Sequence, residues 1–135
     1  MDLKAEKITE AKVQMGRTQY KTQVSSGSHT VTVDEPESRE GTDLGMTPTA
    51  LLLASLGSCT SITLRMYINR KMWIVDEIHI DLALYKVPGG TLITRNINFI
   101  GTLTEEQKQR LEQIADACPV HKMLVGPIMV ETKMI

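Results

Sequence analysis

The chain has 135 residues, a length that fits one ordinary domain, and its formal net charge is −1, with 15 basic and 16 acidic residues interleaved along it. Because no basic stripe is present, the sequence lacks the electrostatic footprint of a nucleic-acid-binding protein. Aromatic residues make up only 4%, so Leu, Ile, Val and Met must build the core. We expect a single domain over residues 1–135 that buries further apolar surface in a homodimer.

The N-terminal residues and the hydropathy pattern indicate the cellular compartment. The stretch Met1–Glu6 lacks the apolar segment of a secretory signal, and no uninterrupted apolar run approaches the roughly 18 residues of a membrane span. We therefore expect a cytoplasmic protein without a membrane partner. In that reducing compartment a bond between the two cysteines, Cys59 and Cys118, is expected to be transient and catalytic. The alternative is that both are inert, buried small hydrophobes.

The first third of the chain has the pattern of a small sheet. Short stretches of β-favouring residues predict strands at Ile8–Met15, Tyr20–Val24 and His29–Val33. The intervening residues 25–28, Ser-Ser-Gly-Ser, have hairpin chemistry. Residues 34–45 are polar and rich in breakers, which predicts a surface loop that could cover a site.

A long helix is predicted over Pro48–Lys71, with Thr47 as its N-cap. Its first half is apolar almost all round, which is typical of a buried helix. We expect Gly57 to allow close approach of a second helix, since glycine costs a helix interior about 1 kcal/mol relative to alanine. Spacing of three and four residues places Cys59 on one face with Leu52, Leu56, Ile62, Thr63 and Met66.

The last half of the chain predicts a hairpin, a helix and a closing strand. Alternation over Val75–Val87 and Thr91–Ile100, around a turn at residues 88–90, indicates two paired strands. A capping box at residues 104–107 begins a helix whose apolar stripe ends at Cys118. After a short segment at residues 120–125, a final strand is predicted at Ile128–Thr132. Together these elements predict an α+β fold.

Two strings in the sequence match a known family. Residues 47–60, TPTALLLASLGSCT, and residues 116–121, DACPVH, resemble the OsmC/Ohr family of thiol-dependent peroxidases, and the order of elements resembles it over nearly the whole chain. Asp34-Glu35-Pro36 and Arg65-Met66-Tyr67 are most similar to the less studied OsmC-like branch. The resemblance implies an intertwined homodimer whose central helices pack together, with active sites near the subunit interface.

The resemblance also implies a reaction. Cys59 would be the peroxidatic thiolate that attacks an organic hydroperoxide and becomes a sulfenic acid, and Cys118 would capture it as a disulfide. A dithiol reductant, such as a lipoyl protein or a thioredoxin-like protein, would regenerate both thiols without a metal, haem or flavin, in defence against oxidative or osmotic stress.

A metal site at Cys118 and His121 is not expected, because two further ligands are lacking.

The residues themselves agree with these two roles. Burial on an apolar helix face raises the pKa of a thiol, so Cys59 needs a cationic partner. Cys118, at the negative end of its helix, is expected to be the poorer nucleophile and the resolving thiol.

The resemblance implies that an arginine activates the peroxidatic thiol and that a glutamate holds the arginine. Arg17 is the first candidate and Arg39 the second, whereas Arg65 lies off the helical face of Cys59.

The family's glutamate should fall on Thr49 or Ala50, and neither is acidic. Either Glu40 or Asp43 takes its place, or the arginine is held differently, or peroxidase activity is reduced. This departure motivates an alternative function, in which a non-catalytic protein of the same fold binds an apolar small molecule at the dimer interface.

Overall fold

A computed structural model describes residues 4–135, so the first half of the Met1–Glu6 stretch lies outside the described residues. The chain forms two compact units, of which the first ends at Leu51 and the second spans Leu52–Ile135. Two such units fit one domain with two lobes or two domains, so the single domain over residues 1–135 stays a prediction. The regular elements are β1 (Lys12–Met15), β2 (Thr22–Ser26), β3 (His29–Val33), a 3₁₀ turn (Glu37–Arg39), α1 (Pro48–Lys71), β4 (Val75–Val87), β5 (Gly90–Gly101), α2 (Glu105–Ala115) and α3 (Pro119–Val125).

The first unit is an antiparallel sheet in the order β1-β2-β3. The hairpin between β2 and β3 turns at Gly27, which has a positive φ of 59°, so the predicted Ser-Ser-Gly-Ser turn is confirmed. The strands are more exposed than buried, and the unit has little apolar core. Val33 is its one buried apolar side chain among the described residues.

Asp34 organises the loop that follows β3. Its carboxylate is 1% exposed and accepts hydrogen bonds from the backbone N–H groups of Tyr20, Glu35, Thr42 and Leu44 and from the Thr42 hydroxyl. Burial alone would raise the pKa of Asp34, but these donors outweigh it and hold the pKa far below its usual range. The loop predicted over residues 34–45 is therefore built around a buried anion.

The second unit contains the apolar core. The hairpin of β4 and β5 pairs Val87 with Gly90 at its turn and Val75 with Gly101 at its open end. One buried cluster joins α1, α2 and the start of β4: Leu64, Tyr67, Ile68, Val75, Leu111 and Ala115. Inward side chains of the hairpin, including Ile78, Ile97 and Phe99, pack against this cluster.

Gly57 lets α1 lie close to the hairpin. A Cβ built at Gly57 would stand 2.7 Å from Cδ1 of Leu82, a β4 residue. The close approach predicted at Gly57 is therefore present, but a strand side chain makes it. The second helix expected there is not what Gly57 contacts in this chain.

The buried face of α1 differs from the predicted one. Its buried residues are Leu56, Gly57, Thr60, Leu64, Tyr67 and Ile68. Ile62 and Met66, which lie on the predicted apolar stripe with Cys59, are 54% and 68% exposed. Cys59 thus lies at the edge of the buried face, because the hairpin and α2 cover the side of the helix centred on Thr60 and Leu64.

The end of the chain also differs from expectation. Residues 120–125 form most of α3, and Pro119 begins that helix as well as following α2. The strand predicted at Ile128–Thr132 is wrong, since these residues form no regular element and pair with no strand in the described chain. The segment is exposed, and a strand without a neighbouring strand leaves its backbone donors and acceptors to solvent.

The central helix α1 has the length and composition of a membrane-spanning helix, with a mean hydropathy of 1.3 over its most apolar window. By these two measures α1 resembles a membrane span more closely than expected from a sequence without an uninterrupted apolar run of that length. The core helix of a soluble protein has the same property, so length and composition do not distinguish the two.

Candidate thiol site

The fold brings the two cysteines together. Cys59 lies near the middle of α1 and is half-buried, whereas Cys118 lies between α2 and α3 and is completely buried. Both are free thiols, and a hydrogen bond between their side chains contributes to the pKa of each. Two thiols in contact form a unit in which one can donate a proton to the other.

Cys118 is the N-cap of α3, not the end of α2. Helix α2 ends at Ala115, and the Cys118 sulfur accepts a hydrogen bond from the backbone N–H of His121 at 3.5 Å. The expectation that Cys118 occupies a negative helix end is therefore wrong. Its sulfur faces backbone donors, which favour a thiolate.

The two thiols have pKa values displaced in opposite directions. Burial, followed by the hydrogen bond with Cys118, raises the pKa of Cys59 above its ordinary value. Burial also acts to raise the pKa of Cys118, but hydrogen bonds from Cys59, the His121 N–H and the Thr60 hydroxyl more than offset it, so this pKa is lowered. Within the reduced pair, the negative charge is therefore better held on Cys118.

Arg95 is the cation next to this pair. It lies on β5 with its side chain 13% exposed, and it donates to the Thr60 hydroxyl at 3.0 Å and to Asp116 Oδ1 at 2.8 Å. Arg95 was not among the residues predicted from the sequence. The sequence does place it on the same strand face as Ile93, Ile97 and Phe99. Because an unpaired charge on an apolar face is costly, an arginine there indicates a partner.

His121 and Asp116 complete the polar surround. His121 Nδ1 lies 3.4 Å from Arg95 Nη2, and its Nε2 lies 3.7 Å from Asp116 Oδ1. Across residues 4–135 no group of three or more His, Cys, Asp and Glu side chains is placed to hold a metal ion. These side chains form a hydrogen-bonded network around Arg95.

The arginines and acids selected from the sequence lie in the first unit. Arg17 is exposed in the turn between β1 and β2, and Arg39 is exposed at the end of the 3₁₀ turn. Glu40 and Asp43 are also exposed, and both have positive φ values in the loop. Arg65, in the second unit, donates to the backbone carbonyl of Val75 at 2.8 Å. The roles of Arg17 and Arg39 stay predictions.

Glu35 is an acid that the sequence reading did not select. It lines a hollow of about 330 Å³ together with Arg39 and Thr49, one of the positions where the family's glutamate was expected. Within the described chain, Glu35 Oε2 is the one buried side-chain oxygen or nitrogen without a hydrogen-bond partner. Such an atom is costly to bury and is available to a cation.

A groove of about 380 Å³ lies beside the thiol site in the second unit. Its lining combines apolar side chains with the polar Thr91, Arg95 and His121: Leu56, Thr91, Ile93, Arg95, His121, Leu124 and Val125. A small ligand with an apolar tail and a polar head would match this lining.

The fold and this site define an α+β protein with a pair of neighbouring thiols, one of them completely buried, and an arginine close to them. The family model described as OsmC-like protein matches residues 41–133, and the chain belongs to that family. The search of curated proteins finds no match.

Solved structures of the same fold include OsmC-like and organic hydroperoxide resistance proteins. An OsmC-like protein from Mycoplasma pneumoniae has a TM-score of 0.77 at 19% identity, with 90% of each chain covered. An organic hydroperoxide resistance protein OsmC from Legionella pneumophila has a TM-score of 0.64 at 20% identity, covering 91% of this chain and 93% of that one. An organic hydroperoxide resistance protein from Elizabethkingia anophelis has a TM-score of 0.65 at 21% identity, with 92% of each chain covered. These similarities establish the α+β fold, with its two antiparallel sheets and long helix.

Proposed function

We propose that the protein is a cysteine-based peroxidase that reduces organic hydroperoxides. The observation that carries the proposal is that the fold brings a half-buried Cys59 close enough to a completely buried Cys118 for each to shift the pKa of the other, so that one thiol can meet a substrate and the other can resolve the product. Two structural relatives are named organic hydroperoxide resistance proteins, which supports the same substrate class.

The reaction uses the two thiols and no resident cofactor. The Cys59 sulfur attacks the terminal oxygen of the hydroperoxide, the O–O bond breaks, and the alcohol leaves. Cys118 then attacks the sulfenic acid, water leaves, and a Cys59–Cys118 disulfide remains. An external dithiol, from a lipoyl or thioredoxin-like protein, reduces that disulfide. Each turnover consumes one hydroperoxide and two thiol hydrogens.

The groove beside the site accounts for a preference for organic hydroperoxides. Leu56, Ile93 and Leu124 provide apolar surface for an alkyl chain, which hydrogen peroxide cannot use. The exposed flank of α1 around Ile62 and Met66 supports a homodimer, since paired copies would cover it.

The test is rapid mixing of the reduced protein with cumene hydroperoxide or with hydrogen peroxide, followed by mass spectrometry. We expect fast oxidation by the organic peroxide and an intramolecular disulfide. Cys118→Ser should stop at a sulfenic acid on residue 59, and Cys59→Ser should not consume the peroxide. Consumption by Cys59→Ser at the wild-type rate would refute the proposal.

A second candidate function is favoured by the groove beside the site and by the lack of an acid at Thr49 and Ala50, where the family's glutamate is expected. In that case the protein binds an apolar small molecule without turnover. Oxidation of Cys59 no faster than that of free cysteine, together with saturable binding of a fatty acid, would support this candidate over the peroxidase.

A further inference from the structure

Tyr67 is surrounded by three basic side chains that no acid neutralises. The charged groups of Arg70, Lys71 and Arg110 lie 5.5, 5.7 and 5.7 Å from the centre of the Tyr67 ring. Among residues 4–135, none of the three belongs to an ion pair. An aromatic ring attracts a cation, but like charges gathered at one ring repel each other. The cluster therefore carries positive charge that an anion would complement.

A hollow of about 550 Å³ opens beside this cluster. Its lining includes Tyr67, Lys71, Trp73, Glu106 and Arg110, and we call it the Tyr67 hollow. The size is that of a site for a small molecule. Trp73 is half-buried, and its ring meets the Tyr67 ring edge to face, with centres 5.7 Å apart and planes at 71°. The Tyr67 hollow thus combines cations with aromatic surface.

Tyr67 and Arg110 have hydrogen-bond donors to spare. Tyr67 is 7% exposed, and its hydroxyl oxygen accepts from Arg110 Nε at 3.1 Å, whereas its own proton has no acceptor among the described residues. Arg110 Nη1 donates to Gln113 Oε1 at 3.0 Å, which leaves Nη2 without an acceptor in the described chain. The hydrogen bond from Arg110 and the charges of the three cations lower the pKa of Tyr67, although burial opposes them, so the hydroxyl is a better donor.

The charge around the hollow indicates which ligand would fit. Glu106 is the one acid in its lining and forms no ion pair within residues 4–135. Three cations against one acid leave a net charge of +2. A phosphate monoester is a dianion with several acceptor oxygens, and it suits both a guanidinium and a hydroxyl donor.

We propose that the Tyr67 hollow binds a phosphate monoester that carries an aromatic ring. Arg110, Lys71 and the Tyr67 hydroxyl hold the phosphate, and the ring packs against Trp73. The hollow shares no lining residue with the groove beside the thiols, and Tyr67 follows Cys59 by eight residues, about 12 Å along the axis of α1. Binding in the hollow therefore needs neither thiol and goes beyond the proposed function.

The test is titration of the full chain with phenyl phosphate. Calorimetry gives the affinity, and the fluorescence of Trp73, the single tryptophan of the chain, reports on the hollow itself. We expect saturable binding together with a change in Trp73 fluorescence. Inorganic phosphate lacks the ring and phenol lacks the charge, so both should bind more weakly. Binding should also weaken as salt is added, because exposed charges are screened.

Substitutions then test each part of the site. Arg110→Met should weaken binding on the order of tenfold, since ionic hydrogen bonds to the phosphate are lost. Lys71→Met should have a smaller effect, because its charge is exposed. Tyr67→Phe keeps the ring, removes the donor and should also weaken binding, whereas Glu106→Gln should strengthen it. Lys86→Met is the matched control: it removes a positive charge from β4, outside the hollow, and should bind as the wild type does.

Two results would overturn the proposal. One is binding that does not saturate or that is equal in Lys71→Met, Arg110→Met and Lys86→Met. The other is inorganic phosphate that binds as tightly as phenyl phosphate, because the contact with Trp73 would then contribute nothing. Circular dichroism identifies unfolded variants, and Lys71→Met, a change at an exposed position, tests the charge even when Arg110→Met does not fold.

The proposed function can fail separately. Cys59→Ser should bind phenyl phosphate with the wild-type affinity. A protein that binds phenyl phosphate but reduces no peroxide would contradict the peroxidase alone.

Discussion

Thr104 and Gln107 cap each other at the start of α2. The Thr104 hydroxyl accepts from the Gln107 N–H at 3.1 Å, and the Gln107 side chain accepts from the Thr104 N–H at 2.9 Å. This capping box, which the sequence predicted, fixes the start of the helix whose far end leads through Asp116 to Cys118. A local pattern at residue 104 thus helps to place a thiol fourteen positions away.

Thr104→Ala should lower the free energy of unfolding by about 1 kcal/mol, because it leaves N–H groups at the start of α2 without an acceptor. Urea denaturation followed by circular dichroism measures the loss. Thr102→Ala, an exposed change two residues earlier, is the matched control and should have little effect. Equal losses in the two variants would show that the cap contributes nothing specific.

Gly57→Val should destabilise the second unit and disturb the thiol pair. The added carbons would overlap Leu82, whose methyl already stands 2.7 Å from a Cβ position at Gly57, and overpacking of this kind costs about 1–3 kcal/mol. Since Leu82 is the β4 partner of Arg95, displacement of α1 should also separate Arg95 from Thr60.

Urea denaturation followed by circular dichroism measures the loss of stability. Ser58→Val, on the exposed side of the same turn, is the control. A Gly57→Val protein with unchanged stability would contradict the close packing.

Stability of the first unit should depend on pH through Asp34. The pKa of Asp34 is depressed in the folded chain, so the carboxylate favours folding at pH values above its unfolded pKa of about 3.9. This contribution falls as the pH drops below about 4 and continues to fall towards the much lower folded pKa. Thermal melts between neutral and strongly acidic pH should therefore show a steep loss on the acidic side.

Asp34→Asn should lower the melting temperature at neutral pH and weaken its pH dependence. An amide directs its NH₂ group at N–H donors that the carboxylate accepts, which leaves some of them unsatisfied. Asp43→Asn, an exposed change in the same loop, should retain the wild-type melting temperature and acid sensitivity. If the two variants have the same pH profile, Asp34 is not the group responsible.

The helices and strands with strong local signals could be predicted from the sequence. The long helix has the predicted bounds, Pro48–Lys71, and the Thr47 hydroxyl accepts from the Ala50 N–H as an N-cap does. Strand β4 also has the predicted bounds, Val75–Val87, because alternation over thirteen residues is a clear signal. Helix α3 was missed, since seven residues are too few for a helical period to emerge.

The site was predicted only in part, and for a physical reason. Cys59 and Cys118 were predicted because they lie in the two strings that resemble the family, residues 47–60 and 116–121. Arg95 was missed because its function depends on which face of α1 meets the hairpin, and that face is set by tertiary packing around Thr60 and Leu64. The sequence shows that Arg95 lies among apolar residues of a strand, but it does not show that Arg95 contacts the Thr60 hydroxyl.

In the proposed cycle, the unequal burial of the two sulfurs would set the direction of the return to the dithiol form. A reductant would reach only the Cys59 sulfur of the disulfide, because Cys118 is completely buried. The mixed disulfide would therefore form on Cys59, and Cys118 would depart as the thiolate. A thiolate of low pKa departs faster, so the groups that lower the pKa of Cys118 would also speed recycling of the protein.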